Sequence, residues 1–155
     1  MWREQWERIN RRYKIFQAIN AGQEHDKITL DLEDDVRSFF TECFHLKDWL
    51  KSDPGSKVSS ADVESFVNAS GNLRLCADLA NGAKHLLLTN PRVDAKAGVT
   101  RRLFKVGLYA GGDPQPTDIA VEYTIEAAGE KYDAFKLATD CLAEWNEYLG
   151  SKGLL

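Results

Sequence analysis

Asn72-Leu73-Arg74-Leu75-Cys76-Ala77-Asp78-Leu79-Ala80-Asn81-Gly82-Ala83-Lys84-His85-Leu86-Leu87-Leu88 is the most apolar long segment of the chain. At about 100° per residue its apolar side chains cover an arc of roughly 220°, far wider than a surface helix needs. Arg74, Asp78, Asn81 and His85 fall in the narrow sector that remains. The pattern predicts a central helix with one polar stripe, ended by Asn90-Pro91. Gly82 costs such a helix about 1 kcal/mol against Ala, so a close approach by another backbone is expected there.

Outward from this segment the apolar periods define the other elements. Trp2, Trp6, Ile9, Tyr13 and Phe16 form a narrow seam that predicts a helix over 2–21, with Arg3, Arg8, Arg11, Arg12 and Lys14 off the seam. Leu32, Val36, Phe39, Phe40, Cys43, Leu46 and Leu50 predict a second helix over about 31–52, with Asp31, Glu33, Asp34 and Asp35 crowding its first turn. Asp53-Pro54-Gly55-Ser56 stops it, and Ser59 or Ser60 caps a short third helix carrying Val63, Phe66 and Val67.

After the central helix the period changes from 3.6 to 2. Phe104, Val106 and Leu108 share one face, and Ile119, Val121, Tyr123 and Ile125 another. A turn-rich loop over 110–116 joins the two runs as a hairpin, and Lys131-Tyr132 can add a brief third strand. Asp133 caps a last helix, which Gly150 closes. The fold expected is mainly α: a bundle of four or five helices with a β-hairpin (about 101–109 and 118–127) before the last helix, in one domain spanning 1–155.

Composition narrows the function. A net charge of -4 gives no general attraction to nucleic acid or anionic membranes. No apolar run approaches 18 residues, so no membrane partner is expected. The charged start, Met1-Trp2-Arg3-Glu4, is unlike a signal peptide, which points to a cytoplasmic location. Cys43, Cys76 and Cys141 lack CxxC spacing and read as small buried hydrophobes kept reduced. Glu42-x-x-His45 occurs once, whereas di-iron bundles repeat that element, so no metal and no cofactor are expected.

Two polar rows are the place for chemistry: Ser38, Glu42, His45 and Trp49 on the second helix, and Arg74, Asp78, Asn81 and His85 on the central one, with Lys84 beside it. The outline resembles helical bundles of the HEPN type, which cleave RNA with an Arg-x4–6-His motif. Here Arg74 and His85 stand eleven apart, and His45 follows Arg37 by eight, so neither pair has that spacing. The stretches 43–49 and 73–86 also resemble a group of short, uncharacterised bacterial proteins, a likeness that implies a helical bundle and no activity.

Two readings follow. One is a non-enzymatic interaction or scaffold domain, with an unknown protein partner or self-association through the Trp2/Trp6 seam. The other is an RNA-binding protein or ribonuclease with His85 and His45 as acid and base and Arg74 or Lys84 on phosphate. Arg92, Lys96, Arg101, Arg102 and Lys105, against a lone Asp94, form the best candidate anion or nucleic-acid contact. A strand edge guarded by charge accounts for them equally well.

Overall fold

A helix of 24 residues, α2 (Thr29–Ser52), places Val36, Phe39, Cys43, Leu46 and Leu50 on one line at alternating spacings of three and four. All five are fully buried. Around it in chain order lie α1 (Trp2–Ala21), a 3-10 turn (Pro54–Ser56), α3 (Ser60–Ala69), α4 (Gly71–Gly82), β1 (Gly98–Val106), β2 (Ile119–Ala127), β3 (Glu130–Asp133) and α5 (Ala134–Ser151). This computed structural model describes residues 1–22, 29–82, 92–93, 97–106 and 119–155, and only the backbone of 29, 100–102 and 104–106. The architecture is mainly α with a small antiparallel sheet before the last helix, as the sequence predicts.

Among the described residues the four other α-helices all touch α2, which makes α2 the axis of the described bundle. The predicted central helix is described as far as Gly82, and the rest of the 72–88 segment lies outside the described residues. A Cβ on Gly82 would meet Ala97 O at 3.7 Å, an ordinary contact rather than a tight approach.

Two aromatic clusters tie the helices together. Phe16, Phe39, Phe40 and Phe135 meet edge to face, with centroids 5.3 to 6.2 Å apart, and Tyr13 stacks on Phe135 at 5.5 Å, joining α1, α2 and α5. Phe66 stacks on Tyr148 at 4.2 Å and meets Trp145 edge to face at 5.1 Å, joining α3 to α5. Each such ring contact adds about 0.5–1.5 kcal/mol beyond area burial.

The α1 seam faces inward. Trp2 is 3% exposed, Ile9, Phe16 and Ile19 are buried, and Trp6 and Tyr13 are half-buried, so much of the seam packs into the core. Gln5, beside the seam, is fully buried; its Nε2 donates to both the Glu42 carbonyl and Glu42 Oε2 at 2.8 Å. The α1 arginines are engaged as well. Arg8 reaches Glu42 at 3.5 Å and Arg12 reaches Asp35 at 3.2 Å. Because α2 begins at Thr29, Asp31 alone of the four acidic residues stands in its first turn. Glu33 and Asp35 hold arginines instead.

The sheet has the order β1-β2-β3, all antiparallel, and packs through β2 on α1 and α5. Val121, Tyr123, Ile125 and Ala127 are buried and alternate with Glu122, Thr124 and Glu126. β1 starts at Gly98, earlier than expected, and a bulge between Val99 and Arg101 shifts its register. Residues 107–118, including the predicted loop, lie outside the described residues. Gly22 ends α1 at φ +103°, where a Cβ would sit 3.5 Å from Ala120 Cβ. Gly150 lies inside α5 and does not close it. Gly153 does so at φ +66°, with its N–H on Gly150 O and the Leu154 N–H on Leu149 O, a Schellman ending.

Gln5→Ala should destabilise the protein by about 1–3 kcal/mol, because it leaves partly buried Glu42 oxygens without their donor. Exposed Gln17→Ala should stay within about 0.5 kcal/mol. Urea midpoints compare them, and equal effects would refute a structural role for the Gln5 bonds.

Candidate functional site

The polar rows come first, because they carry the sequence-predicted chemistry. Ser38 and Glu42 line a surface cavity of about 560 Å³ with Asp34, Arg37, Thr41 and Gly82. The first row therefore does approach the end of α4. Trp49, however, lines a different cavity of about 280 Å³ with Met1, Asp48, Ser52 and Asp53. His45 is half-buried on α2, its ring 6.4 Å from that of Phe44. Arg74 is exposed on α4 and Asn81 half-buried. Lys84 and His85 lie outside the described residues.

Asp78 is not on a solvent-facing stripe. It is 1% exposed, and its carboxylate accepts the backbone N–H groups of Arg92, at 2.7 Å, and Val93, at 2.5 Å. Charge-assisted bonds of this kind are about twice as strong as neutral ones, so Asp78 fastens the segment after α4 back onto the helix.

Arg92 is engaged in the same knot. Its guanidinium donates to Asn68 Oδ1, approaches Glu64 at 3.5 Å and lies over the Phe44 ring at 5.6 Å. Glu64 also takes Lys47 at 3.0 Å and Lys51 at 2.8 Å, and both lysines reach Asp48, at 3.1 and 2.9 Å. Lys51, then Lys47, pulls the Glu64 carboxyl down to about 2. Three cations and two carboxylates thus close on each other, with Arg92 part of this network.

For the remaining basic candidates the backbone register decides. Arg101, Leu103 and Lys105 hold alternate positions on the outward face of β1, opposite Thr124, Glu122 and Ala120. Glu122 is therefore diagonal to both basic positions. Arg102 falls opposite buried Tyr123, on the other face. The face is of mixed sign rather than a basic strip.

What sequence reasoning missed is the convergence of the cysteines. Cys43 on α2, Cys76 on α4 and Cys141 on α5 are all free and fully buried, as predicted, and their three sulfurs lie within 4.8 Å of one another. The Cys76 thiol also donates to Phe40 O at 3.4 Å. The Cys141 and Cys76 thiols, with the Trp145 indole N–H, turn toward Cys43 and pull its pKa below the ordinary thiol value against the effect of burial. Their mutual contacts and burial push Cys76 and Cys141 up. Residues 33 and 65 apart in sequence give no motif; only their common burial on helix faces was visible.

No family model, curated protein or solved structure matches the chain.

Asp78→Asn, which keeps the size but turns an N–H donor toward a backbone N–H, should cost about 1–3 kcal/mol in chemical denaturation. No loss would mean that the 92–93 segment is held by other contacts. The Glu64 pairing sets a pH dependence. Its folded pKa lies below the ordinary 4.5, so its contribution is complete above about pH 4.5 and disappears as pH falls toward 2. Glu64→Gln should flatten this part of the stability profile, and an unchanged acid limb would refute the assignment.

Proposed function

We propose that the chain is a non-enzymatic interaction domain of a bacterial cytosolic protein, and that it binds an extended segment of a protein partner along the edge of β1. The observation that carries this reading is that β1, nine residues long, is an edge strand among the described residues and the longer of the two edges. Among the described residues its one strand partner is β2. An edge strand offers a row of backbone N–H and C=O groups to an added strand. Leu103, at the middle of that strand, is 41% exposed and supplies an apolar contact between the basic positions 101 and 105. An added strand of alternating acidic and apolar residues fits this order.

Catalysis has less support. Asp78 is taken by backbone amides, Glu42 by Gln5 and Arg8, and Arg37 by Glu33 at 2.7 Å. For RNA, the Glu122 and Glu126 positions oppose the charge of β1 on the same face. Three free, buried cysteines suit a reducing cytosol.

Amide hydrogen exchange on the dilute protein tests the edge. Alternate amides of 98–106 should exchange without protection and become protected when an alternating acidic–apolar peptide binds, and Leu103→Lys should weaken that binding. Full protection of all these amides in the free monomer would show the edge already covered and end this reading.

A further inference from the structure

All the cysteines of the chain meet at one point, and this stands independently of the edge strand. They come from three helices, α2, α4 and α5, and their sulfurs sit within 4.8 Å of one another. A metal–sulfur bond is about 2.3 Å long, so three sulfurs around one ion stand about 4.0 Å apart when planar and slightly less when pyramidal. The cluster already has nearly this spacing, and small side-chain rotations would close it.

Two buried polar atoms beside the cluster lack a hydrogen-bond partner among the described residues. One is Trp145 Nε1, on a fully buried residue near Cys43, which completes no hydrogen bond to it. An indole N–H is a donor only, and a thiolate retained on an ion would accept it. The other is Glu144 Oε2, one turn after Cys141, whose carboxylate is tethered by Asn72 to Oε1 at 2.8 Å. A core needing only a small apolar filler has no use for an unpaired donor and a nearby unpaired carboxylate oxygen.

We propose that Cys43, Cys76 and Cys141 together bind one thiophilic ion through three sulfurs and no fourth ligand. Soft thiolates select soft ions, and the coordination number narrows the choice. Structural zinc takes four ligands, whereas monovalent copper and trivalent arsenic are both content with three sulfurs. Binding is ligand exchange without redox change. With arsenous acid, three S–H protons and three hydroxides leave as three waters, and the adduct is neutral. With Cu(I), the protons lost from the coordinating thiols pass to solvent. Neutrality favours arsenic in so apolar a site, because a buried net charge is costly.

The test uses the full, reduced chain, titrated in separate arms with arsenite, with Cu(I) held by a competing chelator, and with zinc. One equivalent of arsenite or Cu(I) should bind, raise the melting temperature and give an X-ray absorption shell of three sulfurs. Binding in one arm alone identifies the ion. Cys43→Ala, Cys76→Ala and Cys141→Ala should each lose that shell while circular dichroism stays helical. Trp145→Phe, which keeps the ring and removes the donor, should weaken affinity roughly 10–100-fold. The shell measured on the unmodified protein serves if a variant fails to fold. No binding of either ion to the folded chain would overturn the proposal. So would a shell of fewer than three sulfurs, or preferred binding of zinc with an added oxygen.

Discussion

The buried line along α2 constrains everything else. Val36, Phe39, Cys43, Leu46 and Leu50 are without solvent contact, so this face of α2 has to be covered along its length. Burying each of the larger side chains contributes about 1.5–3 kcal/mol, and α1, α3, α4 and α5 supply the surfaces that do so. The polar flanks of α2 then meet those neighbours at close range. Glu42 and Asp35 receive side chains from α1, and Lys47 and Lys51 reach Glu64 on α3. The helix is fixed in rotation by charges on its flanks as well as by rings on its buried line.

That arrangement explains why the polar rows looked like a site. Groups at the margin of a buried face have to be satisfied locally, so they are hydrogen-bonded to whatever passes over them. Glu42 meets Gln5, and Asp78 meets the backbone of 92–93. A helical wheel shows a polar residue at the edge of an apolar arc, but it cannot show whether water or another segment lies above it. The functional interpretation and the packing interpretation share the same pattern in sequence.

The fold was readable where a period or a cap is local. The bounds of α1, the Ser59 and Asp133 caps and the alternation of β2 all rest on residues within one or two turns. What depends on distant partners was not readable. That α2 touches every other described helix is one such feature, because hydrophobicity reports burial but not the number of neighbours. Gly150 reads in sequence as the end of α5, yet a glycine at φ < 0 continues a helix, and it is Gly153 that adopts the left-handed turn. The β1 bulge needs the register of its partner strand, which no single strand contains.

The cysteines show the same limit most sharply. The period places each one on a buried helix face, but a period carries no information about height along the helix axis. Burial alone gives no reason for all three to stand at one level. Alanine or valine could fill any of these positions singly, and three fillers placed on three helices need not meet. Sulfur differs from an alkyl group in that it can share a proton, a charge or an ion with another sulfur, and only when the separation is a few ångströms. The contact among Cys43, Cys76 and Cys141 is therefore the feature of this core that apolar packing leaves unexplained, and thiol chemistry is the property that depends on it.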